Sequence, residues 1–130
     1  MARRIHLQTF QIGTPALPGE GLRIAVTRRP PRGVPKADWK TVGHFDVWFP
    51  ALAPQPELVA QLLHAADQAT REKLFKKYEK ALLATAESRQ TLDLIVEIAA
   101  RIPVSIGCFC QDESHCHRSR LYQVLRKLAE

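Results

Sequence analysis

All three cysteines of this chain, and two of its five histidines, fall within the run SIGCFCQDESHCHRSRL, residues 105–121. Thiols, imidazoles, a carboxylate and a guanidinium at such close spacing can supply a nucleophile, a general acid or base, an anion clamp or metal ligands. Four readings compete. A metal site would draw on Cys108, Cys110, Cys116 and His117. Against it, the first pair is C-x-C on a strand rather than the looser spacing of a knuckle in a turn, and Cys116 and His117, as neighbours on a helix, should diverge. A phosphatase-like or rhodanese-like loop needs a cysteine six positions before the arginine; Asp112 stands there relative to Arg118, and that reading fails. A redox pair of Cys110 and Cys116 needs the loop between them to bring their Cα atoms within disulfide range. The fourth reading, an anion-binding catalytic pocket, is preferred. Arg118, with Ser114 beside it at the helix start, would hold a phosphate or carboxylate. His117, titrating near neutrality, would be acid or base, Asp112 would orient or activate, and Cys110 or Cys116 would be nucleophile or redox group.

A strand, a sharp loop and a helix N-terminus must position this run. PVSIGCF, residues 103–109, is apolar and β-branched. As a strand it places Val104, Ile106, Cys108 and Cys110 on one face and Ser105, Gly107 and Phe109 on the other. Cys108 is then a core residue, and Cys110 stands at the strand end. The crevice beyond the carboxyl ends of strands is where open α/β sheets take ligands. A helix N-terminus there offers free N–H groups and positive partial charge. From about Ser114 an amphipathic helix follows, with Leu121, Val124, Leu125 and Leu128 as its inward stripe. His117 and Arg118 extend toward the strand ends, and Cys116 lies beside the first turn. Helix terminus, histidine and arginine together predict a lowered pKa for Cys116.

Upstream, residues 3–12 read as a strand, because Ile5, Leu7 and Thr9 alternate with Arg4, His6 and Gln8. LRIAVTR, residues 22–28, reads as a second, with Leu22, Ile24, Val26 and Arg28 on one face. Arg28 closes that face at the carboxyl end, where a second anion clamp belongs; a structural ion pair is the alternative. Arg32 lies in the RPPRGVPK loop that follows, which proline and glycine exclude from helix and sheet. GHFDVWFPALAP, residues 43–54, reads as loop. Helices are expected from Pro56, from Thr70 with the stripe Leu74, Phe75, Tyr78, Leu82 and Leu83, and from a cap at Ser88 or Thr91 up to Pro103. Lys73, Lys76, Lys77 and Lys80 line the outer face of the second helix, as a solvated surface or a phosphate contact. Trp48 and Tyr78 read as core aromatics. Strands early and helix–strand–helix late predict one α/β domain over residues 1–130, a three-layer sandwich of a small, mostly parallel sheet with helices on its faces.

At 130 residues, 45% hydrophobic and 25% charged, the chain is long enough to bury a core without disulfides or metal. No apolar run approaches the roughly 20 residues of a membrane span. MARRIHLQTFQIG lacks the apolar centre and cleavage pattern of a secretory signal. A cytoplasmic protein with reduced thiols is expected, with no membrane partner. The net charge of +6 favours anionic partners, a small molecule or nucleic acid. The residues name neither a cofactor nor an oligomeric state.

The tail CFCQDESHCHRSRL resembles the C-terminal signature of the prokaryotic family known as domain of unknown function 488, the YeaO-like group included. That signature is a cysteine at a strand end, an acidic residue shortly after, then Cys-His-Arg opening the last helix. LRIAVTRRPPRGVPK is similar to the family's arginine-containing strand and Pro-Arg-Gly loop, FDVWFPALAPQPEL to its tryptophan and Ala-Pro segment, and LFKKYEKAL to its aromatic helix. The resemblance implies Cys110, Asp112, Cys116, His117 and Arg118 as site residues, with Arg28, Arg32 and Gly33 upstream and Cys108 outside the motif. Thr27 stands where members often carry an aspartate, and some YeaO-like members lack the cysteines. The resemblance implies a fold and a site but no reaction. The residues point to a small enzyme, or a degenerate relative of one, acting on a nucleotide, nucleic acid or other phosphate-bearing ligand. The alternatives are a zinc- or iron-binding module and a non-catalytic nucleic-acid binder using the lysine row.

Overall fold

The computed structural model describes residues 3–130; Met1 and Ala2, part of the expected domain, lie outside them. Four strands, β1 (Leu7–Gln11), β2 (Leu22–Ala25), β3 (Val47–Trp48) and β4 (Val104–Cys108), form one sheet in the order β1-β4-β2-β3. Every neighbouring pair is parallel. Four α-helices follow β3 or β4: α1 (Pro56–Leu63), α2 (Gln68–Leu82), α3 (Ala86–Arg101) and α4 (His117–Leu128). None is long and apolar enough to cross a membrane.

β4 lies between β1 and β2 because it suits burial on both faces. Central parallel strands must be apolar or small on each side, and all five residues of VSIGC are buried. The Ser105 hydroxyl donates to the Glu20 carbonyl at 2.8 Å, which satisfies the one polar side chain of the strand. Leu7 lies opposite Val104 on one side, and Ile24 opposite Ile106 on the other.

The two faces of the sheet are covered differently. On one, Leu7, Ile24, Val104 and Ile106 join Tyr78 and Leu82 of α2, Leu92 and Ile95 of α3, and Leu121 and Leu125 of α4 in the main core. On the other, Phe10, Ile12, Ala25 and Phe45 form a smaller cluster with Trp39 and Trp48 packed against it. The second layer is thin: it is built from a 3₁₀ turn at Lys36–Asp38 and a π-helical stretch at Trp39–Gly43. The architecture is the expected three-layer α/β sandwich, with its sheet wholly parallel.

Several boundaries differ from the sequence reading, each for a local reason. β1 starts at Leu7, and past it the inward positions pass to Phe10 and Ile12 on the second face. The segment read as loop contains β3 and a 3₁₀ turn, Pro50–Leu52. Two edge-strand residues, Val47 opposite Ile24 and Trp48 opposite Ala25, are too few to show an alternation. α3 begins before Ser88, because the Thr85 hydroxyl accepts the Ser88 N–H at 3.1 Å and caps the helix. Leu83 ends up beyond α2 and 41% exposed. α4 begins at His117, since Glu113–His115 forms a separate 3₁₀ turn.

Candidate functional site: a thiol cluster beside an arginine-lined cavity

That separate turn decides how the cysteines meet. Cys116 is the N-cap of α4 and has extended backbone, φ −114° and ψ 143°, so its side chain is not carried round the helix. Cys116 and His117 therefore both turn inward, 1% and 8% exposed, and the expected divergence of the two is absent. Cys108 ends β4, and the chain turns so that Cys110 returns to the same side. The Sγ atoms of Cys108, Cys110 and Cys116 all lie within 4.8 Å of one another. Cys108 and Cys110 are 4.0 Å apart, and all three are free thiols.

His117 and Arg118 enclose the cluster. The Val26 carbonyl, 2.5 Å from His117 Nε2, can only accept, so Nε2 carries the proton and Nδ1, 3.8 Å from Cys116 Sγ, is left as an acceptor. The ring packs edge-on against Tyr78 at 5.5 Å. Burial pushes His117 below its ordinary pKa, and the charges of Arg118 and Arg28 push the same way. It is a neutral imidazole rather than the near-neutral titrating group the sequence suggested. Arg118 is 4% exposed. Its Nη1 donates to the carbonyls of Cys110 at 2.7 Å and Cys108 at 3.3 Å. Its buried Nε has no hydrogen-bond partner, and no carboxylate pairs with it among the described residues.

Of the three close thiols, Cys110 is the one whose pKa is lowered. Hydrogen bonds from Cys108 and Cys116 hold it well below the ordinary thiol range, with the charge of Arg118 adding to this against the cost of burial. Cys108 is pushed upward by its bond to Cys110 and by burial, and Cys116 by its bonds to Cys108 and Cys110 and by burial. The lowered pKa expected of Cys116 is thus corrected: a donor buried this deeply keeps its proton, and Cys110, half-buried, is the acidic thiol.

Beyond the carboxyl ends of β2, β3 and β4 lies a cavity of about 740 Å³ lined by Arg28, Arg29, Arg32, Trp48 and Phe109. Pro30 and Pro31 complete its wall, and among the described residues no acidic side chain lines it. Arg28 is held in place by backbone: Nε donates to Pro54 O, and Nη2 to Pro50 O and Ala53 O, each at 3.0 Å. Carbonyls, not the carboxylate of an ion pair, orient it. Cavity and cluster share a frame: Val26 O takes His117, Thr27 O takes the Trp48 indole at 2.9 Å, and Phe109 sits between two of the thiols.

A family model described as the active DUF488-N3 subclade matches residues 7–129. The chain belongs to the DUF488 family. No curated protein and no solved structure matches it. The match runs from β1 to the end of α4, so it contains both the thiol loop and the arginine segment of this DUF488 chain.

The residues predicted from sequence separate into three groups. Cys110, Cys116, His117 and Arg118 come together, and Cys108, read as a core residue outside the metal reading, joins them while remaining buried. Arg28 and Arg32 line the cavity; Arg118 does not, although β2 and β4 are neighbours as the shared crevice required. Asp112 and Ser114 stand apart. The Asp112 carboxylate, 57% exposed, accepts from Ser114 N at 3.0 Å and Ser114 Oγ at 2.6 Å, which holds it below the usual carboxylate range. Together they cap the 3₁₀ turn that carries Cys116 inward. Thr27, where DUF488 members often carry an aspartate, is buried and closes the arginine turn through a 2.7 Å bond to Arg29 O. The sequence reading missed Arg29 and Phe109; Trp48, read as core, does pack against the second cluster and also lines the cavity. Phe109 had a signal: an aromatic beyond the last buried residue of a strand.

Proposed function

We propose that this DUF488 protein is a thiol-dependent enzyme acting on a phosphate-bearing ligand, a nucleotide or nucleic acid, seated at the carboxyl edge of the sheet. Arg118 carries the reading. A guanidinium buried without a counter-anion costs several kcal/mol, and a Cys110 thiolate supplies the missing charge. Cys110, the most open of the three thiols, is the nucleophile. Cys108 and Cys116 donate hydrogen bonds to it, and His117 Nδ1 fixes Cys116. Arg28 and Arg32 bind the anion, while Asp112 and Ser114 hold the loop in shape. The word "active" in the family description supports catalysis.

Alkylation with iodoacetamide at about pH 6, where ordinary thiols are protonated, tests this. One label per chain is expected on Cys110, absent in Cys110→Ser and slowed in Arg118→Met. Equal, slow labelling of all three cysteines would sink the assignment.

A second reading has an observation of its own. Three sulfurs within 4.8 Å of each other, with His117 Nδ1 3.8 Å from one of them and Nε2 on a carbonyl, have the donor set and outer hydrogen bond of a zinc or iron site. Elemental analysis of protein purified without added metal discriminates: a stoichiometric ion favours the metal module, and its absence together with fast Cys110 labelling favours the enzyme.

A further inference from the structure

We infer that the arginine-lined cavity is a nucleoside-phosphate site, in which Trp48 and Phe109 stack an unpaired base while Arg28, Arg29 and Arg32 hold its phosphate; this rests on the reading of that cavity as the ligand site. Inorganic phosphate or a sugar phosphate would use the arginines and leave both aromatic rings in water. Only a ligand that joins an anion to a flat ring uses the whole wall. The rings are built for it. Trp48 is locked by its indole N–H on Thr27 O at 2.9 Å and by edge contact with Trp39, centroids 6.2 Å apart at 75°, so stacking on it sacrifices little side-chain freedom. Phe109 is 45% exposed, on a loop held by the Gln11 amide donating to its carbonyl at 3.2 Å.

The arginines are equally available. Arg28 commits Nε and Nη2 to backbone carbonyls, and its Nη1 makes no hydrogen bond among the described residues. Arg29 and Arg32 are exposed and meet no carboxylate among them. A space of about 740 Å³ is in the range that takes a small organic ligand. A base inside a duplex has both faces covered by its neighbours, so the base must be unpaired. Free mononucleotide and single-stranded nucleic acid share this chemistry.

Titration calorimetry on the full chain at low salt, with indole fluorescence in parallel, tests the inference. The probes are inorganic phosphate, adenosine, adenosine 5′-monophosphate, a single-stranded oligoadenylate and a duplex of the same length. The monophosphate is expected to bind at least about tenfold more tightly than phosphate or adenosine alone, and Phe109→Ala to remove about tenfold of that while leaving phosphate affinity unchanged. Arg29→Gln with Arg32→Gln should weaken both anions. Tighter binding of the oligomer than of the monophosphate would identify single-stranded nucleic acid as the source; equal affinity per site would identify the free nucleotide. Phosphate binding as well as the monophosphate, with no effect of Phe109→Ala, overturns the base site and leaves the anion site standing. No binding by any probe overturns both, as does preference for the duplex. Trp48→Leu adds a second stacking variant, and Phe109→Ala, at an exposed position, keeps the test valid should Trp48→Leu fail to fold.

Discussion

At the scale of single residues, the chemistry turns on which of three thiols gives up its proton. The hydrogen bonds within the cluster decide it, and burial adds to the asymmetry. Cys116, at 1% exposure, gains more by donating than by ionising, and Cys110 receives. Arg118→Met removes the guanidinium that favours the anion, so the Cys110 titration, followed by thiolate absorbance, should move up. His117 leads to a pH dependence of stability. Its folded pKa lies below the ordinary 6.5, so in acid the unfolded chain binds the extra proton. The stabilisation is complete above 6.5 and is lost as pH falls below that value toward the folded one. Urea midpoints measured at about pH 7.5 and pH 5.5 should therefore drop at the lower pH. His117→Gln, which keeps a donor for Val26, should flatten that drop. An unchanged slope would mean the imidazole is not buried neutral.

At the scale of elements, the site exists because a helix starts three residues late. Continuing α4 back to Ser114 would put Cys116 on its flank; the Asp112-capped turn instead gives Cys116 extended backbone and sends its sulfur to the other two. β4 imposes a second close fit. A Cβ on Gly107 would lie 2.3 Å from the Phe10 ring, and that ring is already covered by the Arg23 guanidinium at 3.9 Å. Gly107→Ala should cost about 1–3 kcal/mol by denaturant midpoint, and Phe10→Leu in the same chain should restore part of it. Additive losses would show that the ring is not what excludes the methyl group.

At the scale of the whole molecule, the surplus of +6 has two destinations. Lys73, Lys76, Lys77 and Lys80 are exposed along α2, while Arg28, Arg29 and Arg32 are gathered at the sheet edge with no acidic side chain among the described residues of the wall they form. Replacing the four lysines by glutamine should leave mononucleotide affinity unchanged and lower only the salt dependence of polyanion binding. A large loss of mononucleotide affinity would move the ligand site to α2. The charge of the sequence predicted an anionic partner, and the fold divides that charge between a general surface and a shaped cavity.

Much of this was legible in the residues alone. Apolar periods marked β1, β2, β4 and all four helices, because a buried stripe must repeat at the spacing of its element. The Cys-His-Arg run was legible as a site because its members lie within one strand–loop–helix unit, where chain connectivity keeps them close. Three matters waited for the tertiary structure: the partnership of Cys108, the deep burial of Cys116 and Arg118, and the cavity that joins Arg28, Arg29 and Arg32 to Trp48 and Phe109. Those last residues follow or end three different strands and become neighbours only through the order β1-β4-β2-β3. Local periodicity says which face of a strand is buried; which strand lies beside it is chosen by the packing of the whole core.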